Sequence, residues 1–162
     1  MGNDVTISTP SDCEIVITRE FRAPLNLVFD ACTRPALLKR WLTGPPGWSM
    51  TVCEIDRRVG GNYRYVWRHT DGTEMGMGGV FRELLRPERI VRTELFDDDW
   101  TGGEALSTMV LNEHRTGVTT LTNTLLYSSR RARDGCLKTG MKDGMAASYI
   151  SLDALLASSI AP

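Results

Sequence analysis

The sequence has few of the residues on which enzyme and metal sites most often depend. It contains two histidines and four cysteines among 162 residues, with no Cys-x-x-Cys pair, no His-x-x-x-His pair and no Gly-x-Ser-x-Gly elbow. We therefore expect no metal and no cofactor, and we assign no catalytic residue. The cysteines are expected to be small buried apolar side chains, at Cys13, Cys32, Cys53 and Cys136.

An excess of charge of one sign is also absent, and so is a long apolar run. Lys and Arg number 19 against 20 Asp and Glu, which gives a formal net charge of −1 and no long-range field for nucleic acid or anionic lipid. No apolar stretch approaches the length that spans a bilayer. Asp4, Asp12 and Glu14 interrupt any secretory apolar segment. We expect a cytoplasmic protein with reduced thiols that binds neither nucleic acid nor membrane.

The length and the hydrophobic periodicity predict a single α+β domain. A chain of 162 residues removes roughly 70% of its unfolded surface from water, which is enough to fold without a metal or a disulfide. We expect a flexible N-terminus at 1–11, one domain at 12–158 and a tail at 159–162. Within the domain the patterns predict, in order, a strand over 13–21, two short helices over 24–32 and 34–42, about six strands between 48 and 127, and a long final helix that begins near Asp134.

Individual residues are expected to shape these elements. Thr33 can cap the second helix. Gly135, Gly140 and Gly144 fall inside the last helix, where each glycine costs about 1 kcal/mol relative to alanine, and they indicate a mobile or closely packed first half. The run Gly76–Gly79 predicts a strand bend at which a backbone approaches the helix.

A strand with one aromatic face is the clearest part of the predicted sheet. Tyr63, Tyr65, Trp67 and His69 occupy alternate positions and therefore share a face. A bent antiparallel sheet cannot close fully on a single helix, so we predict a cavity between them that binds a small apolar or amphipathic molecule. The predicted lining consists of aromatic and methionine side chains: Trp41, Tyr65, Trp67, Met77, Phe81, Met109, Met141, Met145 and Tyr149.

Short motifs along most of the chain resemble one known group of proteins. They are Phe21-Arg-Ala-Pro24, Leu38-Lys-Arg-Trp41 with Gly44-Pro-Pro-Gly-Trp48, Asp56-Arg-Arg-Val-Gly-Gly61, Gly79-Val-Phe-Arg-Glu83, Arg86-Pro-Glu-Arg-Ile90, residues 119–124 and Gly140-Met-Lys-Asp-Gly144. Together they resemble the START-like, SRPBCC superfamily, and within it the branch related to the heat-shock-protein-90 ATPase activator. The resemblance covers residues 13 to 157.

This resemblance implies a helix-grip fold, in which a curved antiparallel sheet wraps a long C-terminal helix and two short helices follow the first strand. It also implies an apolar pocket under the sheet, with binding or modulating roles common and catalysis restricted to some branches. Met145 stands where the family usually has a large aromatic residue, which would enlarge or soften the pocket entrance. The eukaryotic activators carry a separate chaperone-binding domain, and because this chain has no room for one, a chaperone partner is not expected.

Two other classes of function stay open at this point. One is an enzyme resembling the polyketide cyclases of the superfamily, which would need a cavity-facing acid such as Glu54 or Glu83 near His69. The other is an interaction module that modulates a chaperone or forms a homodimer through an exposed sheet face. The sequence identifies neither the ligand nor the oligomeric state.

Overall fold

The computed structural model describes residues 4–98 and 102–160. Parts of the predicted flexible N-terminus (1–3) and tail (161–162) lie outside these ranges. The described residues form these elements: β1 Thr6–Ser8, β2 Glu14–Phe21, α1 Leu25–Thr33, α2 Pro35–Trp41, β3 Trp48–Ile55, β4 Asn62–His69, β5 Glu74–Leu85, β6 Arg89–Phe96, β7 Ala105–Arg115, β8 Val118–Leu126, α3 Arg130–Leu137 and α4 Met141–Ile160. The predicted α+β class and the six-strand meander are confirmed.

The strands build one antiparallel sheet in the order β1-β2-β8-β7-β6-β5-β4-β3. Alternate residues of β2, β4 and β8 are buried, and we call the side of the sheet that they occupy the inner face. On β4 the buried residues are Tyr63, Tyr65 and Trp67, so the predicted aromatic face is confirmed. The helices pack with this face into one core, to which α4 contributes Tyr149 and Leu152.

β5 and β6 approach each other closely at Gly79. A Cβ atom on Gly79 would lie 1.9 Å from the carbonyl oxygen of Thr93 on β6, and the pairing of these strands shifts register between Phe81 and Glu83. Tyr63 donates a hydrogen bond to the same Thr93 carbonyl. The backbone that approaches this glycine run therefore belongs to a neighbouring strand, whereas the prediction placed it in the helix.

The two short helices are held at their ends by different groups from those predicted. The Glu113 carboxylate on β7 accepts hydrogen bonds from the backbone N–H of Leu25, at 2.7 Å, and of Gly117, at 2.9 Å, and these bonds hold its pKa below the ordinary value. Arg34 occupies the N-cap position of α2 without a side-chain cap. The prediction that Thr33 caps α2 is wrong, because its hydroxyl donates to the Phe29 carbonyl at 2.9 Å instead.

The long final helix predicted from Asp134 is two helices. Ser129 caps α3, since its side-chain oxygen accepts from the Ala132 N–H at 3.1 Å. Gly140 then adopts φ +77°, a conformation that ends the helical path and that glycine adopts without steric cost. The chain restarts as α4 at Met141.

The N-terminal segment differs from the prediction of a flexible end. Residues Thr6–Ser8 form β1 and pair antiparallel with β2, with Ile7 opposite Ile17. Among the described residues, no helix is long and apolar enough to cross a membrane.

An ion pair between a buried arginine and a partly exposed aspartate fastens α4 to the sheet. Arg19 on the inner face of β2 donates two hydrogen bonds to Asp153 on α4, at 2.7 and 2.6 Å, and the two side chains are 3% and 39% exposed. The Nε atom of Arg19 has no hydrogen-bond partner within the part of the chain that is described. The pair therefore leaves Arg19 strongly dependent on Asp153.

We expect Asp153→Ala to lower the free energy of unfolding by about 2–3 kcal/mol, because it leaves a buried guanidinium without its counter-charge. The double variant with Arg19→Met should recover a large part of that loss. Urea unfolding of the wild type, the two single variants and the double variant measures both effects. As a control, Asp97→Ala breaks the exposed Arg64–Asp97 pair and should cost less than about 1 kcal/mol. An equal cost for Asp153→Ala and Asp97→Ala would contradict the dependence.

Candidate functional site

The nine residues predicted to line a cavity fall into two groups. The structure buries six of them in the core and leaves three methionines half-buried. The buried residues are Trp41, Tyr65, Trp67, Met77, Phe81 and Tyr149, and the half-buried ones are Met109, Met141 and Met145.

Tyr149 of α4 lies at the centre of the aromatic packing. Its ring meets Phe21 edge-on, with ring centroids 5.3 Å apart, and stacks on Trp41 at 6.0 Å. On β4 the Tyr65 ring contacts Trp67 at 5.8 Å. These contacts fill the inner face beside α2 and the middle of α4.

The two tryptophan indoles are engaged in the fold itself. Trp41 donates its indole N–H to the Ala31 carbonyl at 2.8 Å, and Trp67 donates to the Leu42 carbonyl at 2.7 Å. Because each indole has a single donor, neither is free to bond a ligand. Their contribution to any site is apolar surface.

A polar cluster on the inner face was missed by the sequence analysis. Arg92 on β6 donates through Nη1 to the Tyr65 hydroxyl at 2.7 Å and through Nη2 to Glu94 at 3.3 Å. Its guanidinium also lies over the rings of Tyr63 and Tyr65, at 4.5 and 5.3 Å from their centroids. We call Arg92, Glu94 and Tyr65 the inner polar cluster.

The inner face carries further polar groups beside this cluster. On the next strands Ser107 donates to the Asn123 side-chain oxygen at 2.8 Å, and Ser107 lies opposite Arg92 in the β6–β7 pairing. Tyr149 is 1% exposed, and its hydroxyl makes no hydrogen bond to any residue that the structure describes.

The tyrosine and cysteine groups of the interior stay protonated at neutral pH. Burial raises the pKa of Tyr65 to about 12, against the opposing charge and hydrogen bond of Arg92. Burial likewise raises the pKa of the Cys32 thiol to about 12 and that of Cys53 to about 11. A thiol with a raised pKa is a poor nucleophile, so these groups offer hydrogen-bond donors and apolar surface but no nucleophile.

The residues predicted for the enzyme alternative do not come together inside the fold. Glu54 is exposed at the position opposite Arg64, and exposed Glu83 pairs with Arg89 at 2.6 Å. His69 lies beside Trp48, with ring centroids 5.2 Å apart, and its Nδ1 is 3.2 Å from the exposed carboxylate of Asp71. The carboxylate on the inner face is Glu94 instead.

No local signal in the sequence places the inner polar cluster on the buried side of β6. Ile90, Arg92 and Glu94 occupy alternate positions there, and this is the inner side. Charged residues on strands usually face water, so the sequence pattern alone favours the opposite orientation. Cys, His, Asp and Glu side chains form no group able to hold a metal within residues 4–98 and 102–160.

Two shallow grooves on the described part of the chain have no residue of α4 in their lining. One runs along α3 and is lined by Arg130, Arg131, Asp134, Gly135 and Lys138. The other is lined in part by Glu104, Leu106 and Leu126 on the outer side of the sheet. Neither lies between the sheet and α4.

A curved antiparallel sheet with a long C-terminal helix over its inner face defines the helix-grip class of α+β proteins, as predicted. Within that class, the chain belongs to the family described as activator of Hsp90 ATPase homolog 1-like protein, whose model matches residues 22–157. No curated protein matches the chain in sequence.

Solved structures of bacterial proteins share the whole fold. A protein from Rhodobacter sphaeroides is 33% identical, with a TM-score of 0.89 over 96% of this chain and 99% of its own. A Mycobacterium smegmatis protein is 26% identical, with a TM-score of 0.81 over 94% and 96% of the two chains. An Hsp90 activator from Plasmodium falciparum is 21% identical, with a TM-score of 0.63 over 86% and 96%, and this likeness concerns the fold alone.

Proposed function

We propose that this protein binds a small amphipathic molecule between the inner face of the sheet and the first half of α4. The observation that supports this most directly is the exposure of the inner polar cluster. The side chains of Arg92 and Glu94 each retain 12% of their accessible surface, although both lie on the inner face among fully buried neighbours. Accessible surface on these two side chains means that a space wide enough for a water molecule adjoins them.

The packing of α4 supports the same location. From Ser148 onward the helix buries Tyr149 and Leu152, whereas in its first half Met141 and Met145 are only half-buried. Met109 on β7 is half-buried as well. Methionine side chains adapt to irregular shapes, so three half-buried methionines packed against the same core as the polar cluster suit a ligand with an apolar body and one polar end.

Filling the space beside α4 with a larger side chain tests this proposal. Met145→Trp should weaken binding of 2-naphthol at least tenfold, or about 1.4 kcal/mol, because the indole would occupy the ligand's volume. Isothermal titration calorimetry at pH 7 measures the affinity. The matched control is Ile150→Trp. The Ile150 side chain of α4 is 65% exposed, so this variant should bind 2-naphthol as the wild type does.

Thermal unfolding of each protein shows that the fold is retained before binding is compared. Failure of the wild-type protein to bind 2-naphthol, naphthalene and 2-naphthoate alike would refute the proposal. Equal affinities for 2-naphthol in Met145→Trp, Ile150→Trp and the wild type would refute the location of the site.

A further inference from the structure

The polar end of the ligand is the next property that the geometry constrains. We infer that it is a neutral hydroxyl group, of an alcohol or a phenol, held by Glu94 and Tyr65. This inference depends on the proposed function, because it specifies the ligand of the same site. It uses three features of the inner polar cluster: its rigidity, its net charge and its unused hydrogen-bonding positions.

The cluster is fixed in place before any ligand arrives. Arg92 is bound by the Tyr65 hydroxyl and the Glu94 carboxylate and lies over the rings of Tyr63 and Tyr65. Tyr63 is in turn tied to the backbone carbonyl of Thr93. The guanidinium therefore cannot swing out to meet a ligand, and the ligand must match the positions that the cluster offers.

The charges within the cluster cancel. Arg92 contributes one positive charge and Glu94 one negative charge, and both side chains are largely removed from water. A carboxylate ligand would place a second negative charge beside Glu94, and an ammonium ligand would place a second positive charge beside Arg92. Either one would bring an uncompensated charge into the interior, at a large cost in free energy. A neutral ligand avoids that cost.

The unused hydrogen-bonding positions select among neutral groups. The Tyr65 oxygen already accepts from Arg92, so its own proton is available to donate. Glu94 accepts a hydrogen bond from Arg92 at Oε2, and its Oε1 accepts no hydrogen bond from the described residues. A hydroxyl can donate to Glu94 and accept from Tyr65 at once, whereas a ketone or ether would leave the Glu94 oxygen unpaired. The unpartnered Tyr149 hydroxyl offers one more polar contact on the facing helix.

The test compares three probes of the same shape by calorimetry at pH 7: naphthalene, 2-naphthol and 2-naphthoate. At this pH a phenol is neutral and a carboxylate is ionised. We expect the wild type to bind 2-naphthol at least tenfold more tightly than 2-naphthoate. In Glu94→Gln the charge of Arg92 is no longer balanced, so the order should reverse in favour of 2-naphthoate. The control, Glu83→Gln, alters an exposed pair on the outer side and should keep the wild-type order.

Tyr65→Phe provides a second variant in case Glu94→Gln does not fold. It should reduce the affinity for 2-naphthol toward that for naphthalene without favouring 2-naphthoate, since Glu94 is still present. Wild-type protein that binds 2-naphthoate as well as 2-naphthol, or probe ratios unchanged in both variants, would overturn the hydroxyl assignment. If all three probes bind equally well, the assignment fails and the proposed function stands. If none binds, both fail.

Discussion

Gly79→Ala will lower the free energy of unfolding by about 3 kcal/mol. The added methyl carbon would lie 1.9 Å from the Thr93 carbonyl oxygen and 2.7 Å from its carbon, and real Cβ atoms do not come this close to backbone. The obstacle is main chain within a paired strand, so it cannot rotate away as a side chain can. Relief requires β5 and β6 to separate at this point.

Urea unfolding measures this loss, and the neighbouring residue provides a matched control. A Cβ atom on Gly78 would lie 3.0 Å from the Tyr63 carbonyl oxygen, a tight contact that a small shift relieves. Gly78→Ala should therefore cost less than about 1 kcal/mol. Similar losses at the two positions would show that flexibility of the chain, and not the contact with Thr93, explains the effect of Gly79→Ala.

Tyr149→Ala will destabilise the protein by about 3–5 kcal/mol, which is typical of deleting a buried aromatic side chain. The ring lies against Phe21 and Trp41, which belong to the sheet and to α2, so its removal leaves a cavity where three elements meet. Surrounding residues cannot collapse into that space without moving α4. Thermal and urea unfolding measure the loss.

Tyr149→Phe separates the ring from its hydroxyl. Because that hydroxyl has no hydrogen-bond partner among the described residues, its removal should leave the stability unchanged or slightly increased. In the same variant, the affinity for 2-naphthol should fall if the hydroxyl serves the ligand. A loss of more than about 1 kcal/mol of stability in Tyr149→Phe would mean that the hydroxyl has a structural partner.

The architecture could be predicted because its signals are local. Alternation on β4 identified the buried aromatic side. Pro24 and the segment Gly44–Gly47 bounded the two short helices, because proline and glycine interrupt helices. The division of the last helix was missed, since the apolar stripe runs through Gly140 on both sides. The stripe reports which residues are buried, whereas the end of α3 is marked by the left-handed conformation of Gly140, a local signal that the prediction of one long helix did not use.

The site was predicted less completely than the fold. Tyr65 and Trp67 lie on the inner face as expected, and Tyr149 of α4 is buried in the same core. Large aromatic residues on an apolar face are buried because this removes much apolar surface from water. Arg92 and Glu94 were not anticipated, because their burial depends on each other and on Tyr65 across the sheet. Pairing between residues of different strands leaves no signal in one sequence considered by itself.

The strand order has a consequence for how the chain is made. β2 pairs with β8, so Ile17 lies opposite Asn123, and a ribosome must synthesise most of the polypeptide before this pairing can form. Contacts so distant along the chain slow folding relative to a helical bundle of equal length. Until then the backbone N–H and C=O groups of β2 that pair with β8 have no partner strand. Nascent chains are most vulnerable to association during that interval.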